Sequence, residues 1–153
     1  MNRPRNPDFA ADVAASFASQ GALRTIGAVL ESIEPGRCIV RVPYAEAVTQ
    51  HHGFFHGGVI GMVADVAGGY AAMSLCEPGW QVLTVEYKIN FIAPASGTAI
   101  VATGHVVRAG RALIVTRLEV AALDAQGRAR VCSVGQQTIM ALAPERLGAA
   151  QSK

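Results

Sequence analysis

The chain has 153 residues, 51% of them hydrophobic and 16% charged, and a formal net charge of +2. This is enough for one core and too little for two ordinary domains, so residues 1–24 read as a helical lead-in, 25–142 as one domain and 143–153 as a tail. Scattered basic residues with few aromatics exclude a dedicated nucleic-acid surface, and a polar start and a long apolar stretch broken by Asp65 and glycines exclude a membrane span.

In chain order, Asp8 is placed to cap a helix over 9–19, with Phe9, Val13 and Phe17 on one face and Gly21 at its end. Segments 25–33 and 37–42 are β-rich and separated by Glu34, Pro35 and Gly36, so they read as a hairpin. A loop over 43–55 leads to a stretch over 59–75 that is almost wholly apolar and free of proline. It reads as a helix with no polar face, which must be surrounded by core. Glu77, Pro78 and Gly79 stop it. Four strands follow, over 81–92, 97–109, 111–123 and 128–141, with reversals at Ala109-Gly110 and over 124–127. The three cysteines, Cys38, Cys76 and Cys132, are odd in number, lack CxxC spacing and sit in apolar runs. They read as reduced buried thiols of a cytoplasmic protein.

This order fits an α+β fold, an antiparallel six-stranded sheet wrapped around a long central helix with an N-terminal helix outside. One sheet covers only part of a helix, so the rest must be buried by the N-terminal helix or by a second copy. Gly61, Gly68 and Gly69 read as close-packing points for a partner helix, because glycine otherwise weakens a helix by roughly 0.5–1 kcal/mol.

Asp65 is the exception within the central helix. A carboxylate there carries a desolvation cost that implies a task. Gly57 and Gly58 stand where the loop becomes the helix, and free N–H groups at that point can receive developing negative charge. From Gly57 to Asp65 is eight residues, roughly 12 Å along a helix axis. Reacting atoms must approach to about 3–3.5 Å, so one reaction can use both only if they come from different copies of the chain. Two helices packed antiparallel about a two-fold axis would supply two equivalent sites.

The run QHHGFFHGG at 50–58, with an acid nine positions after its last histidine, TVEYKINFIAPASG at 84–97 and RAGR at 108–111 resemble the hotdog-fold acyl-CoA thioesterases, most closely the PaaI-like branch. The likeness runs from about Thr25 to Ala141. It implies a hotdog fold, a homodimer with shared sites, either standing alone or paired again as a dimer of dimers, and hydrolysis of an acyl-CoA to acid and CoA without metal or redox cofactor. By the same resemblance the thioester carbonyl meets the Gly57 N–H, with the Gln50 side-chain amide helping to polarise it. Asp65 of the opposite subunit acts as base or nucleophile, and Thr84 holds the water. Asparagine is frequent at the Gln50 place in the PaaI-like branch and glutamine in a related branch acting on aromatic acyl-CoAs, so the acyl group stays open between aromatic, medium and long chains. Arg108, Gly110 and Arg111 match the turn near the CoA phosphates, and Asn90 and Phe91 the strand end beside the pantetheine.

Blander readings stand beside these. From spacing alone, Arg108 and Arg111 are a solvated hairpin tip and Thr84 is a good strand residue. His51, His52 and His56 lack a fourth ligand for a metal site, and His56 reads as a residue that orders its loop, with a catalytic contact as the minority reading. Phe54 and Phe55 line an acyl pocket or belong to the core. A hotdog dehydratase would need an acid–histidine pair, and His105 lies in a separate strand. A sensor or carrier that holds acyl-CoA without cleaving it would not require Asp65.

Overall fold

The structure, a computed structural model, describes residues 3–145, so most of the expected tail over 143–153 lies outside the described residues. Helix α1 (Phe9–Ser19) is followed by a short helix α2 (Gly21–Thr25), then strands β1 (Val29–Glu34) and β2 (Arg37–Pro43). A single 3-10 turn (Glu46–Val48) precedes helix α3 (Gly57–Met73), and β3 (Gln81–Phe91), β4 (Ala99–Ala109), β5 (Leu113–Leu123) and β6 (Ala129–Leu142) complete the chain. All pairings are antiparallel, in the order β1-β2-β4-β5-β6-β3. The expected six-stranded sheet around one helix is present.

Three local expectations are corrected. Residues 25–28 are not strand, because Gly21 opens the second short helix rather than ending the region. Asp8 makes no side-chain cap; its N–H instead donates to Asn6 Oδ1 at 2.9 Å, so Asn6 rather than Asp8 organises the entry to α1. The helical glycines do not all await a partner. A Cβ on Gly68 would collide with Gln137 Oε1, Leu118 and Thr116, and one on Gly61 would sit 3.1 Å from the Tyr87 hydroxyl, so both face the chain's own sheet. Of these three, Gly69 alone meets open space among the described residues.

The reason lies in how closely α3 approaches the sheet. A Cβ on Gly104 of β4 would strike the backbone of Ala67 and Gly68, so helix and strand lie backbone against backbone there. Around that contact Val63, Ala64, Ala67 and Ala71 of α3 pack on Val40, Ile100, Ala102 and Leu118 of the sheet, all nearly or fully buried. The end of the helix is tied down as well. Ser74 Oγ accepts from Gly36 N at 2.8 Å and donates to Ala71 O at 2.7 Å, joining the β1–β2 turn to α3. Helix α1 covers one flank through Val13 and Phe17, whose ring lies 5.9 Å from that of Tyr70.

Two surfaces stay uncovered. On α3, Val59, Met62, Val66, Gly69 and Met73 form a half-buried stripe at helical spacing beside Asp65. Strand β3 is a sheet edge of 11 residues, and Leu83, Val85, Tyr87 and Phe91 are exposed on it. Among the described residues, no helix is long and apolar enough to cross a membrane.

Gly68→Ala forces a methyl group into the Gln137–Leu118 contact and is expected to destabilise by about 1–3 kcal/mol. Gly69→Ala is expected to be neutral or to stabilise by up to about 1 kcal/mol. Thermal melts at one protein concentration check the pair. Burial pushes the Cys38 thiol up to about 12 and that of Cys76 to about 11. Thiolates are the reactive form, so at pH 8 the folded protein is expected to react with a thiol-specific disulfide reagent far more slowly than the denatured chain. Full labelling of the native protein within seconds would contradict the placement of these thiols.

Candidate active site

The loop over 49–56 is held at both ends before it delivers α3. Phe55 N donates to Ala95 O and His56 N to Val48 O, each at 2.9 Å. His56 is the N-cap, its Nδ1 accepting the Gly58 N–H at 2.9 Å. This is the loop-ordering role. With the Gly58 N–H occupied, the Gly57 N–H is left without a partner among the described residues, at the positive end of a 17-residue helix.

Gln50 is fixed in the same loop. Its Oε1 accepts the His52 N–H and its backbone N donates to Phe54 O, which leaves the side-chain Nε2 unpartnered among the described residues. Gln50 and Gly57 line one open cleft of about 520 Å³ with Phe54, Ile60 and Phe91. The Phe91 ring lies over Gly57, 3.2 Å from where a Cβ would stand, so a side chain at that position would press on the ring. Two donors, one backbone and one side chain, therefore share an apolar-walled cleft. Phe54 and Phe55 both border it, Phe54 at 37% exposed and Phe55 at 3%, the latter packed edge-on against Tyr44.

Asp65 lies elsewhere. It lines a second cleft, of about 160 Å³, with Thr84 and without Gln50 or Gly57. Its Oδ1 accepts from Thr84 Oγ1 at 2.7 Å and from Gln137 Nε2. Oδ2 has no partner among the described residues, so one oxygen is anchored while the other is available. Gln137 is fully buried, and its Oε1 accepts from Thr116 Oγ1 at 3.0 Å, which fixes which end of the amide meets the carboxylate. Its Nε2 also lies 3.0 Å from Thr84 Oγ1. The chain Thr116–Gln137–Asp65–Thr84 thus crosses the seam between sheet and helix.

Gln137 escaped the sequence reading. The signal was present: alternation back from inward-facing Ile139 places Gln137 on the helix side of β6, and alternation from Ile114 does the same for Thr116. Thr84, by contrast, is brought to Asp65 of its own chain, its hydroxyl hydrogen already given to that carboxylate.

The expected CoA residues are not all brought together. Phe91 faces α3, while Asn90 lies on the opposite face of the sheet and accepts from Lys88 Nζ at 2.7 Å. Arg108 pairs in register with Val115 and, through it, with Thr138; Asn90 pairs with Val134. Four residues of β6 separate the two rows, roughly 13 Å. Arg108, Gly110 and Arg111 lie at the β4–β5 turn, where Gly110 N donates to Leu113 O at 2.9 Å, and neither arginine pairs with a carboxylate among the described residues. His105 is turned away from α3. Burial, with the Arg37 and Arg117 guanidiniums beside it, pushes its pKa down, and it forms no acid–base pair with Asp65.

The sequence matches the Thioesterase superfamily over residues 52–139. A thioesterase family protein from Silicibacter pomeroyi has a solved structure that is 42% identical, covers 88% of this chain and 98% of its own, and superposes with a TM-score of 0.85. Human acyl-coenzyme A thioesterase 13 is 31% identical over 112 residues, 69% of this chain and 79% of that protein. The PaaI protein of Escherichia coli shares the fold, with a TM-score of 0.76 at 20% identity over 88% of this chain and 94% of its own.

Gln137→Leu removes the amide that joins Asp65 to Thr116 and leaves a buried hydroxyl unpaired. It is expected to lower the unfolding free energy by about 1–3 kcal/mol in urea denaturation. An unchanged midpoint would mean that the amide does not hold the carboxylate.

Proposed function

Since the chain belongs to the thioesterase superfamily and is a thioester hydrolase, we propose that it cleaves an acyl-CoA at sites shared between two copies. One copy supplies Gln50 and Gly57, the other Asp65 with Thr84. The observation that carries this reading is the division of one chain's polar groups between two separate clefts at different levels of the same helix. Neither cleft holds both an electrophile-stabilising pair and an acid.

The two uncovered surfaces support such pairing. An exposed 11-residue edge strand invites a second strand, and pairing β3 with β3 of another copy would continue the sheet and bring the stripe over Val59, Met62, Val66, Gly69 and Met73 against its equivalent. A second pairing of dimers fits the outer sheet face, where Leu113, Met140 and Leu83 are exposed and lie in register across β5, β6 and β3.

In the proposed reaction the thioester oxygen lies against the Gly57 N–H and Gln50 Nε2, and charge developing there is met by donors already in place. The free Oδ2 of Asp65 takes a proton from attacking water, or attacks the carbonyl itself to form an acyl–aspartyl anhydride that a water then hydrolyses to the acid. Thr84 and Gln137 hold the carboxylate. Its lone pairs leave Thr84 able to accept from the water, although its proton is committed to Asp65. The C–S bond breaks, the acid is released and the thiolate leaves as CoA after protonation. No metal or redox group enters this scheme. In this reading Phe91 borders the pantetheine and Arg108 and Arg111 bind the phosphates, supported by their having no carboxylate partner among the described residues. Asn90 on the outer face serves the same arm only where the ligand crosses that face.

Thiol release from benzoyl-, phenylacetyl-, hexanoyl- and palmitoyl-CoA tests the chemistry. Asp65→Asn is expected to lower kcat by about 10²–10⁴ and Gln50→Ala by about 10²–10³, both with CoA binding retained. Co-expression of the two variants tests the sharing. A mixed dimer would carry one site with both Asp65 and Gln50 intact and recover activity, whereas sites formed within single chains would leave every site damaged. Saturable acyl-CoA binding without thiol release would favour the sensor or carrier instead.

A further inference from the structure

Strand β3 meets α3 turn by turn. The Phe91 ring lies over Gly57, the Tyr87 hydroxyl lies 3.1 Å from where a Cβ on Gly61 would stand, and Thr84 Oγ1 donates to Asp65 Oδ1 at 2.7 Å. The three helix residues are four apart, so Phe91, Tyr87 and Thr84 mark successive turns of one helix face. Phe91 and Thr84 line the two clefts described above, whereas Tyr87 lines neither and stands between them.

Tyr87 pairs in register with Gln137, the residue that anchors Asp65, and its ring is 44% exposed. Its hydroxyl has no hydrogen-bond partner among the described residues. In the shared site proposed above, Gly57 of one copy lies level with Asp65 of the other. Gly61, four residues from each, then falls at the two-fold axis. Tyr87 is enclosed there, and an enclosed phenol hydroxyl needs a partner.

The free oxygen of Asp65 has the matching need. Helical side chains lean over the turn N-terminal to their own Cα, which directs this carboxylate toward Gly61 and Tyr87. Cβ positions four residues apart on a helix are separated by about 5–6 Å, close to the span of two hydrogen bonds through one water. An attacking water must place two protons and keep a lone pair for the carbonyl carbon. Oδ2 of Asp65 accepts one proton. Thr84 Oγ1 already donates to Oδ1 and lies 3.0 Å from Gln137 Nε2, which leaves it one lone pair, beside the anchored oxygen. The Tyr87 oxygen has both lone pairs free.

Resting on the hydrolytic reading above, we propose that Tyr87 holds the attacking water against Asp65 of its own chain, accepting a hydrogen bond from one water proton while Oδ2 takes the other. The water oxygen bonds to the carbonyl carbon presented by the other copy, and one proton passes to Oδ2. The C–S bond then breaks, and that proton passes from Asp65 to the leaving thiolate. The second proton stays on the new carboxyl group and is lost to solvent. Because this water stands in front of Oδ2, Tyr87 favours attack by water over attack by the carboxylate.

The test measures kcat and KM on whichever of the four thioesters named above the native protein cleaves fastest, for Tyr87→Phe, Gly61→Ala and the double variant. Tyr87→Phe keeps the ring and is expected to lower kcat about tenfold with KM changed less than twofold. Gly61→Ala presses on the hydroxyl and is expected to lower kcat in the same way. Without the hydroxyl, the nearest ring atoms lie 3.7 and 3.8 Å from the added methyl group, an ordinary contact, so Gly61→Ala is expected to cost nothing further in the Tyr87→Phe background. An unchanged kcat in Tyr87→Phe, a rise in KM in place of the loss in kcat, or losses that multiply in the double variant would overturn the proposal while leaving hydrolysis through Asp65 standing. Failure of the native protein to cleave any of the four would overturn the hydrolytic reading and this inference with it.

Discussion

The close seating of α3 on β4 is the constraint on which the rest of the structure depends. Where Gly104 meets the backbone of Ala67 and Gly68, neither strand nor helix can carry a side chain, and the two elements approach as near as backbones allow. Packing at that distance has little tolerance, because protein interiors are as dense as organic crystals. The same contact sets the height of the helix above β5 and β6. It brings the space beside Gly68 to the size of one amide, which Gln137 fills.

That amide turns a packing contact into a chemical one. Gln137 is oriented by Thr116 on one side and holds Asp65 and Thr84 on the other. The paired members of this network hold one another in place, since an unpaired state is costly in a low-dielectric seam. The carboxylate is anchored through one oxygen, and its second oxygen stays open to the cleft. The other end of the helix is prepared differently. His56 occupies the Gly58 N–H, Gln50 is locked by its own loop, and the donors left over are the Gly57 N–H and the Gln50 amide.

Helix geometry keeps these two preparations apart. A straight helix of 17 residues places its N-terminal turn and its eighth-residue neighbour at different levels, and no rotamer closes that gap. The fold thus presents an acid at one cleft and unpaired N–H donors at another, together with an open edge strand and a half-buried stripe between them. In the proposed dimer those open surfaces are the means by which complementary halves meet. Helix α1 adds a wall to the acid-side cleft and brings Ser16 and Gln20 to Tyr70.

Much of this was legible in the sequence. The apolar run over 59–75, its stop at Glu77-Pro78-Gly79 and the period-2 strands specify a buried helix and a meander, because burial patterns are local in the chain. Asp65 stood out as a charge in an apolar helix, and the Gly57 turn as a helix N-terminus. The motif resemblance led to the thioesterase family. Other features were not local. Gly68 read as a partner contact and proved to face Gln137, since residue identity does not say which side of an apolar helix meets the sheet. Asn6 displaced Asp8 as the organiser of α1 because a side chain from the preceding loop reached the backbone first. The partnership of Gln137 with Asp65, 72 residues apart, and that of Ser16 and Gln20 with Tyr70 exist only after the sheet has curled and α1 has docked. The sequence by itself determined the elements, their order and the exceptional acid, all written in short-range periodicity. The tertiary structure alone decided which oxygen of that acid is free and what surrounds it, because those depend on register and helix height, which are set by contacts between distant segments.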